Sequence, residues 1–434
     1  MRQQAYMWRV CFSWVLCLGG LTVSTGAQPP STDVEAESIK HAEYIAYLTR
    51  TTPAYREIIA RQHSRFVGLR HRVRQRELAG QSTSCSKQIL EEIDWLTGDT
   101  VDFARSTRRM DDLEYVLAHP AEEGKAGQQD PDDGGWGQCH SEWFFKVNAT
   151  IDHITSPPNR TEKPRYELHL LDRVNAPEKL TRYFDSVSVS DIARTGRDNA
   201  RELNESLENL GRMILGGRPA YYHWDSGLKE TMIDIIMRRL RNPQTGWWGP
   251  RYVRDGKVQF VDGLSMTYHM VSTLNGKVPD LDKAMAHLLA VKGLDYPIGW
   301  LRDGRYSNHH EMDVVCLFRY GWPSMTDEQR RVAATEIRKM VRWCLDESLQ
   351  PDGSFKLTGG DSVEEEISFG ASLLDQAGVF DRAKRFWTSD DFPEAPEVRT
   401  RIIGFINKHI ESGGAGGTYY RHLLEDLGAK PVNQ

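Results

Sequence analysis

The sequence has little of several features that would assign it to a common class of protein. After the N-terminal segment, no run of residues is long and apolar enough to cross a bilayer, which argues against a membrane-spanning protein. The formal net charge is −6, so no general basic field would attract nucleic acid. No Cys-x-x-Cys pair or Cys/His spacing predicts zinc, and we expect neither a metal nor a cofactor.

Cysteine is also scarce, with six residues in 434. Two of them fall in residues 1–27, whose arginines, short apolar run and small terminal residues predict a cleaved secretory signal peptide and a secreted or periplasmic protein. Export permits disulfides, and Cys85 with Cys139 is the only pairing that we consider. Cys316 and Cys344 are expected to be buried free thiols, because on two antiparallel helices their heights would differ by roughly 20 Å.

Helical periodicity dominates the chain, and the predicted fold class is all-α with a small β insertion. Apolar spacing predicts N-terminal helices over 28–118, and a Gly-, Pro- and Asp-rich loop or linker follows at 119–140. The stretches SEWFFKVNATI and RYELHLLDRV predict strands in a β-containing insertion over 141–190. Helical hairpins then occupy 191–434.

A loop recurs in the second half of the chain. The stretches PQTGWWG, YPIGWLRDG and QPDGSFKL each carry a glycine after a proline, at Gly246, Gly299 and Gly353, spaced 53 and 54 residues apart. Two helices are predicted between successive loops, so the period is one helical hairpin. Because a lone hairpin cannot bury its apolar face, neighbouring hairpins must stack. We expect an α/α toroid, either incomplete or of six or seven hairpins, with an open array as the alternative. The predicted helices cover about 263–274, 281–291, 309–320, 326–347, 363–378 and 397–412.

The loop IGWLRDGRYSNHH has the highest concentration of residues suited to binding or catalysis. Within it lie Arg302, Arg305, Tyr306, Asn308 and His309, just before an apolar helical run. In a toroid the start of an inner helix faces the central cleft, so polar side chains there can meet a ligand. Arginine binds carboxylates in a bidentate fork, which predicts an acidic substrate.

The preceding copy of the loop adds aromatic surface. Trp247, Trp248 and Tyr252 are candidates for stacking on sugar rings, and RYV-RDGK-VQF predicts a β-hairpin with an Asp-Gly turn. His269 lies one turn inside the next predicted helix, seven residues after Asp262, so the two can share a face.

A uronic acid polysaccharide suits this set of residues. The C5 proton of a uronate is α to its carboxyl group, and its removal with loss of the C4 oxygen is a β-elimination. The reaction needs the developing carboxylate charge neutralised by Asn, His or Arg, and a base and an acid, which tyrosine can supply. Tyr306 is the first candidate, and Tyr252 and Tyr268 compete with it.

These loops on helical hairpins resemble the α/α-toroid polysaccharide lyases, most closely polysaccharide lyase family 38, the glucuronan and alginate lyases. The resemblance covers roughly residues 136–412. It implies an α/α barrel, β-elimination and a tyrosine base/acid, with histidine and arginine near the uronate carboxyl. Tyr306 is then the base/acid, His269 and Arg305 contact the carboxylate, and Asp262 supports the same subsite.

Other functions remain open at this stage. An unsaturated uronyl hydrolase on the same toroid needs two spaced carboxylic acids, and a non-catalytic glycan-binding protein would keep the tryptophans without needing Tyr306 or His269. A terpene cyclase lacks support, because neither DxDD nor DDxxD is present. Metal ligation by His309 and neighbouring side chains would be incomplete. The oligomeric state is not predicted. The candidate carboxylates for hydrolysis are Asp225, Asp262, Asp303, Glu311 and Asp361.

Overall fold

The computed structural model describes residues 55–98, 102–155, 163–219, 221–358, 363–411, 423–424 and 427–428. The predicted signal peptide lies outside these residues. Helix dominates the described part of the chain and strands are few, which confirms the predicted all-α class. None of the described helices combines the length and apolar character that a bilayer crossing requires.

The described residues form two compact units. The N-terminal unit contains those up to Asn242 together with Trp248–Asp262. The C-terminal unit contains Pro243–Trp247 and the described residues from Gly263 onward.

The N-terminal unit is built mainly from helices. Helices α1, α2 and α3 pack together around a core that includes Phe66, Ile89 and Leu113. The helices are α1 (Tyr55–Leu78), α2 (Ser84–Gly98), α3 (Phe103–Ala118), α4 (Trp143–Thr155), α5 (Pro177–Val187), α6 (Ile192–Thr195), α7 (Ala200–Gly216) and α8 (Leu228–Asp234), which a π-helical turn at Ile235–Arg239 continues.

A disulfide joins this core to the loop before α4. Cys85 at the start of α2 is bonded to Cys139, and their Cα atoms lie 5.4 Å apart. The considered pairing is therefore confirmed. Cys316 and Cys344 are buried free thiols, also as predicted.

The strands predicted between 141 and 190 are wrong. SEWFFKVNATI lies largely in α4, and RYELHLLDRV forms a loop and a 3₁₀ turn at His169–Arg173. Helix α4 buries Phe144, Val147, Ile151 and Ile154, a spacing of three and four residues that is helical. Their β-branched and aromatic character favoured strands, but strand propensity yields to tertiary packing.

The small sheet lies elsewhere in the N-terminal unit. Strand β1 (Val189–Ser190) pairs in parallel with β2 (Arg251–Arg254), and β2 pairs antiparallel with β3 (Lys257–Phe260). The turn residues Asp255 and Gly256 both have positive φ, 50° and 75°, as a two-residue type I′ hairpin turn requires. The hairpin predicted at RYV-RDGK-VQF is confirmed.

The C-terminal unit consists of the predicted helical hairpins. All the helices expected between and after the repeated loops are present. They are α9 (Leu264–Thr273), α10 (Leu281–Ala290), α11 (Asn308–Gly321), α12 (Asp327–Trp343), continued by a π-helical turn at Cys344–Ser348, α13 (Val363–Gln376) and α14 (Ala395–Glu411).

Helices α9 and α11 run parallel to each other. Ser265 donates a hydrogen bond to Asp313 over 2.7 Å, and three residues farther along both helices Tyr268 interacts with the Cys316 thiol. In both pairs the α11 residue lies 48 positions after the α9 residue, so the two helices run in the same direction.

Helices α11 and α13 are also parallel, since Asn308 contacts Glu366 near the start of each and Arg319 contacts Gln376 near the end. Thus α9, α11 and α13 form one parallel layer, against which α10 and α12 pack.

Each of the three repeated loops is closed by a β-bridge at the same position, antiparallel in the first and third loops and parallel in the second. The residue two positions after each glycine, namely Trp248, Leu301 and Phe355, forms a β-bridge to a residue just before the loop. Gly353 has a φ of 91°, and a Cβ there would collide with the carbonyl oxygen of Arg401. The sequence repeat therefore corresponds to a structural repeat.

Candidate functional site

Arg302 and Arg305 lie directly opposite each other across a tight turn before α11. The amide of each donates to the carbonyl of the other, over 2.8 Å and 3.0 Å. Asp303 and Gly304 between them have φ values of 52° and 72°, the same type I′ turn that joins β2 to β3. Opposed residues of such a pair carry their Cβ atoms about 5 Å apart on one face.

This turn carries two cationic residues at opposed positions. Arg305 is exposed, and the guanidinium of Arg302 donates to the carbonyl of Thr358 over 2.7 Å. Burial raises the pKa values of Glu311 and Glu366, and the charge of Arg302 acts on both in the opposite direction. The turn therefore directs one arginine toward the start of α11 and leaves the other exposed.

Helix α11 begins with a capped first turn that is buried except at His309. The side chain of Ser307 accepts from the amide of His310, so Ser307 is the N-cap. The amide of Ser307 in turn donates to Glu311 Oε2 over 2.6 Å. Asn308, which its residue type favours as the cap, is instead the first helical residue.

Asn308 links α11 to two neighbouring elements. Its Nδ2 donates to Glu366 Oε2 over 2.7 Å and to the hydroxyl of Ser348 over 2.8 Å. Glu366 also accepts from the amide of Thr358 over 2.6 Å and from its hydroxyl. Burial raises the pKa of Glu366 despite these hydrogen bonds, which act in the opposite direction.

Glu311 and His310 are ionisable groups whose pKa values are shifted by burial. Both are completely buried. Loss of hydration raises the pKa of Glu311 well above its usual value and lowers the pKa of His310 well below its usual value. The His310 ring stacks on Tyr296, with centroids 4.3 Å apart. The first turn of α11 thus contains an uncharged imidazole at neutral pH, next to a carboxyl group whose pKa is raised by burial.

Several buried polar atoms of this turn lack hydrogen-bond partners in the described part of the chain. Among them are Asn308 Oδ1 and Glu311 Oε1. Such orphaned atoms are uncommon in folded proteins and often mark places where function takes precedence over stability.

Tyr306 and His309 remain partly exposed beside this buried turn. The Tyr306 ring meets Trp343 edge to face, with centroids 6.0 Å apart. Burial raises the pKa of Tyr306, and Glu336 and Glu311 add to the shift, so the phenol keeps its proton at neutral pH. His309 stacks flat on Phe369 of α13, with centroids 4.0 Å apart.

His269 does not join this group. The constant offset of 48 residues between α9 and α11 places it level with Leu317, eight residues beyond His309. At 1.5 Å per residue that is about 12 Å farther along the helices. The expectation that His269 and Tyr306 share one site is therefore corrected, because the parallel register separates them.

The aromatic residues predicted to stack on sugars are buried. Trp247 and Trp248 are 0 % exposed, and their indole N–H groups donate to the carbonyls of Ala284 and Ile236. Tyr252 is 1 % exposed. The substrate-binding roles predicted for these three residues are corrected, since their rings serve as core packing.

Two polar residues of the N-terminal unit are likewise structural. The hydroxyl of Tyr252 donates to Asp198 over 3.3 Å. Asp262 is buried and accepts from Asn242 over 3.0 Å. This contact occupies Asp262 within the fold, so its predicted place in the carboxylate subsite is also corrected.

Sequence reasoning missed the partners that surround the first turn of α11. Glu366, Ser348 and Thr358 come from 40 to 58 residues later in the chain. Only the repeat could have indicated them, because Ser348 and Thr358 flank the next copy of the loop. The turn at RDGR could have been found directly, since it matches RDGK.

No group of three or more His, Cys, Asp or Glu side chains in the described residues is arranged to hold a metal ion. Comparison with known proteins adds no relative: no family model matches the chain, and neither a curated protein nor a solved structure is significantly similar to it. The candidate site is therefore described from the positions and contacts of its own residues alone.

Proposed function

We propose that this protein is a polysaccharide lyase that cleaves a uronic-acid-containing polysaccharide, of the glucuronan or alginate type, by β-elimination. The observation that carries the proposal is the opposed pair Arg302 and Arg305. The two residues are opposed through their backbones, arginine is suited to binding a carboxylate, and the pair lies immediately before Tyr306 and close in sequence to His309.

The arginine pair supplies the electrostatic part of the reaction. Binding the uronate carboxylate between two guanidinium groups stabilises the negative charge that develops when the C5 proton leaves. Asn308, held by Glu366 and Ser348, fixes the start of α11 and thereby the position of the residues around it.

We assign the base to His309 and the acid to Tyr306. His309 accepts the C5 proton, the C5–H electrons form the C4–C5 double bond, and the C4–O bond breaks. Tyr306 donates its phenolic proton to the departing O4. The raised pKa of Tyr306 favours this role, because the phenol is protonated in the resting protein. The next cycle begins after a proton passes from His309 to Tyr306 through solvent.

The test is a substrate screen followed by substitution. Purified protein is incubated with glucuronan, alginate, pectate and glycosaminoglycans, and the unsaturated uronide is read by its ultraviolet absorbance. On the active substrate, Tyr306→Phe is expected to lower kcat by about a hundredfold or more. Arg302→Gln and Arg305→Gln are expected to lower kcat/KM by a comparable factor.

A matched control comes from the second type I′ turn. Lys257 occupies the same turn position in RDGK as Arg305 in RDGR. Lys257→Gln should leave kcat/KM within about twofold of wild type. Full activity in Tyr306→Phe, or no ultraviolet product from any uronic acid polymer, would refute the proposed mechanism.

We also propose that the helical hairpins close into an α/α toroid. The parallel layer of α9, α11 and α13, with α10 and α12 packed against it, supports this architecture. An experimental structure in which the hairpins follow an open superhelix would overturn it.

We also propose that the protein is exported from the cytoplasm. The disulfide between Cys85 and Cys139 supports it, because disulfides persist in oxidising compartments. The expected result is recovery of the processed protein, cut after about residue 27, outside the cytoplasm of the producing cell, identified by N-terminal sequencing.

A uronyl hydrolase is the second candidate, and one observation favours it. Burial raises the pKa of Glu311 well above its usual value, the direction that a glycosidase general acid requires, and Glu366 supplies a second carboxyl group that is hydrogen-bonded to Asn308. Complete burial of both carboxyl groups places this function second. A hydrolase would consume the ultraviolet absorbance of an unsaturated oligosaccharide, whereas a lyase would create it.

A further inference from the structure

The loop between α7 and α8 encloses an open cavity of about 580 Å³. This volume lies within the range of roughly 300–1,000 Å³ that is usual for small-ligand sites. The cavity belongs to the N-terminal unit, and none of its residues takes part in the site at α11. Its lining residues are Arg218, Pro219, Tyr221, Tyr222, His223 and Trp224.

The rings of the cavity are held at a fixed angle. The Tyr222 hydroxyl donates to Asp172 over 2.6 Å. The Tyr222 and Trp224 rings meet edge to face, with centroids 4.8 Å apart and an interplanar angle of 71°. His223 is anchored to Asp225 over 3.0 Å. These contacts hold the aromatic rings of the loop in place, and flat aromatic surfaces suit the apolar faces of a sugar ring.

The six lining residues supply donors and a cation, and two of them, Tyr222 and His223, are hydrogen-bonded to the carboxylates of Asp172 and Asp225. The Tyr221 hydroxyl and the Trp224 indole nitrogen have no hydrogen-bond partner in the described residues. Arg218 is exposed at the edge of the loop, and none of the six lining residues is acidic. Unused donors beside a guanidinium favour a ligand rich in acceptors and negatively charged.

We propose that this aromatic cavity binds one unit of an acidic oligosaccharide, with the sugar packed against Tyr222 and Trp224 and its carboxylate on Arg218. The cavity is a binding site and not a second catalytic centre. The choice of a uronate as the ligand rests on the proposed function, whereas the cavity and its donors do not.

The experiment compares two ligands of the same linkage. Isothermal titration is carried out with glucuronan oligosaccharides and with cello-oligosaccharides of equal length, which differ only at C6. The full chain carries Tyr306→Phe to block elimination, and ultraviolet absorbance confirms that the ligand stays intact. Arg218→Gln is expected to weaken glucuronan binding by about tenfold and to leave cello-oligosaccharide binding unchanged. Trp224→Ala should weaken binding of both ligands.

Arg238→Gln serves as the control, since Arg238 is an exposed arginine of the same unit with a side chain 84 % accessible. Thermal unfolding of each variant confirms that it is folded. Glucuronan binding that is unaltered in both Arg218→Gln and Trp224→Ala overturns the inference, even if the wild-type protein is an active lyase. Loss of binding in these variants supports the inference, even if the wild-type protein shows no lyase activity.

Discussion

The Nδ2 atom of Asn308 lies 2.7 Å from Oε2 of Glu366, and this contact joins the first residue of α11 to the first turn of α13. Both side chains are completely buried. The same amide reaches Ser348, so one side chain connects three successive segments of the hairpin repeat. The start of α11 is consequently positioned by the fold and not by local sequence alone.

Removal of this amide should destabilise the C-terminal unit. Asn308→Ala leaves Glu366 and Ser348 without a buried donor, and we expect a loss of roughly 2–4 kcal/mol in the free energy of unfolding. Asn308→Asp places a second carboxyl group against Glu366 and should cost more above pH 5 or so, when both tend to ionise. Urea denaturation of the two variants at acidic and neutral pH measures the difference. Equal stability of Asn308→Asp and wild type at neutral pH would contradict the arrangement.

Glu311 should make stability fall as pH rises. Its pKa is raised well above the usual value in the folded chain, so the unfolded chain releases the proton first and is favoured as pH increases. The loss begins near the unfolded pKa of about 4.5 and continues up to the folded pKa, by up to about 1.4 kcal/mol per pH unit. Glu311→Gln cannot ionise, and its stability relative to wild type should increase with pH across this window. A constant difference between pH 5 and pH 9, or thereabouts, would argue against a neutral Glu311.

Substitution of His309 should reduce activity far more than substitution of His269. His309→Ala removes the assigned base and is expected to lower kcat by about a hundredfold or more on the uronic acid substrate. His269→Ala lies about 12 Å farther along the helices and should change kcat/KM by less than about threefold. Initial rates of ultraviolet product formation compare them directly. A larger loss in His269→Ala would restore that residue to the active site.

The disulfide should contribute strongly to stability. Its cysteines are separated by 54 residues, for which loop-closure entropy predicts a stabilisation of about 4 kcal/mol. The Cys85→Ser/Cys139→Ser variant is therefore expected to unfold at lower urea concentration. Dithiothreitol should destabilise the wild-type protein and leave this variant unaffected. Cys316→Ala, which removes a free thiol, should retain the sensitivity to reductant.

The repeat was the most informative signal in the sequence. Glycines at a constant spacing and helical apolar periods located α9 to α14 within a few residues, because a hairpin's turns and its buried face are both encoded locally. The Asp-Gly turn of the β2–β3 hairpin was predictable for the same reason. Strands were wrongly assigned to α4, where β-branched and aromatic residues form the buried face of a helix.

Site residues were predicted less well than helices. Arg302, Arg305, Tyr306 and His309 are neighbours in sequence around the start of α11. The substrate-binding role predicted for Asn308 is corrected, because this residue is buried and hydrogen-bonded to Glu366 and Ser348. Trp247 and Trp248 were misplaced because an aromatic residue after a glycine packs equally well in a core as on a rim, and burial is not a local property.

The sequence by itself determined the helical class, the repeated loops and the group of cationic and aromatic side chains before α11, since each depends on residues close together in the chain. Only the tertiary structure decided that Glu366 and Ser348 hold Asn308, that burial raises the pKa of Glu311 and lowers that of His310, and that His269 lies apart from His309. These facts depend on the register between helices and on exclusion of water, which arise from packing segments that are distant in sequence.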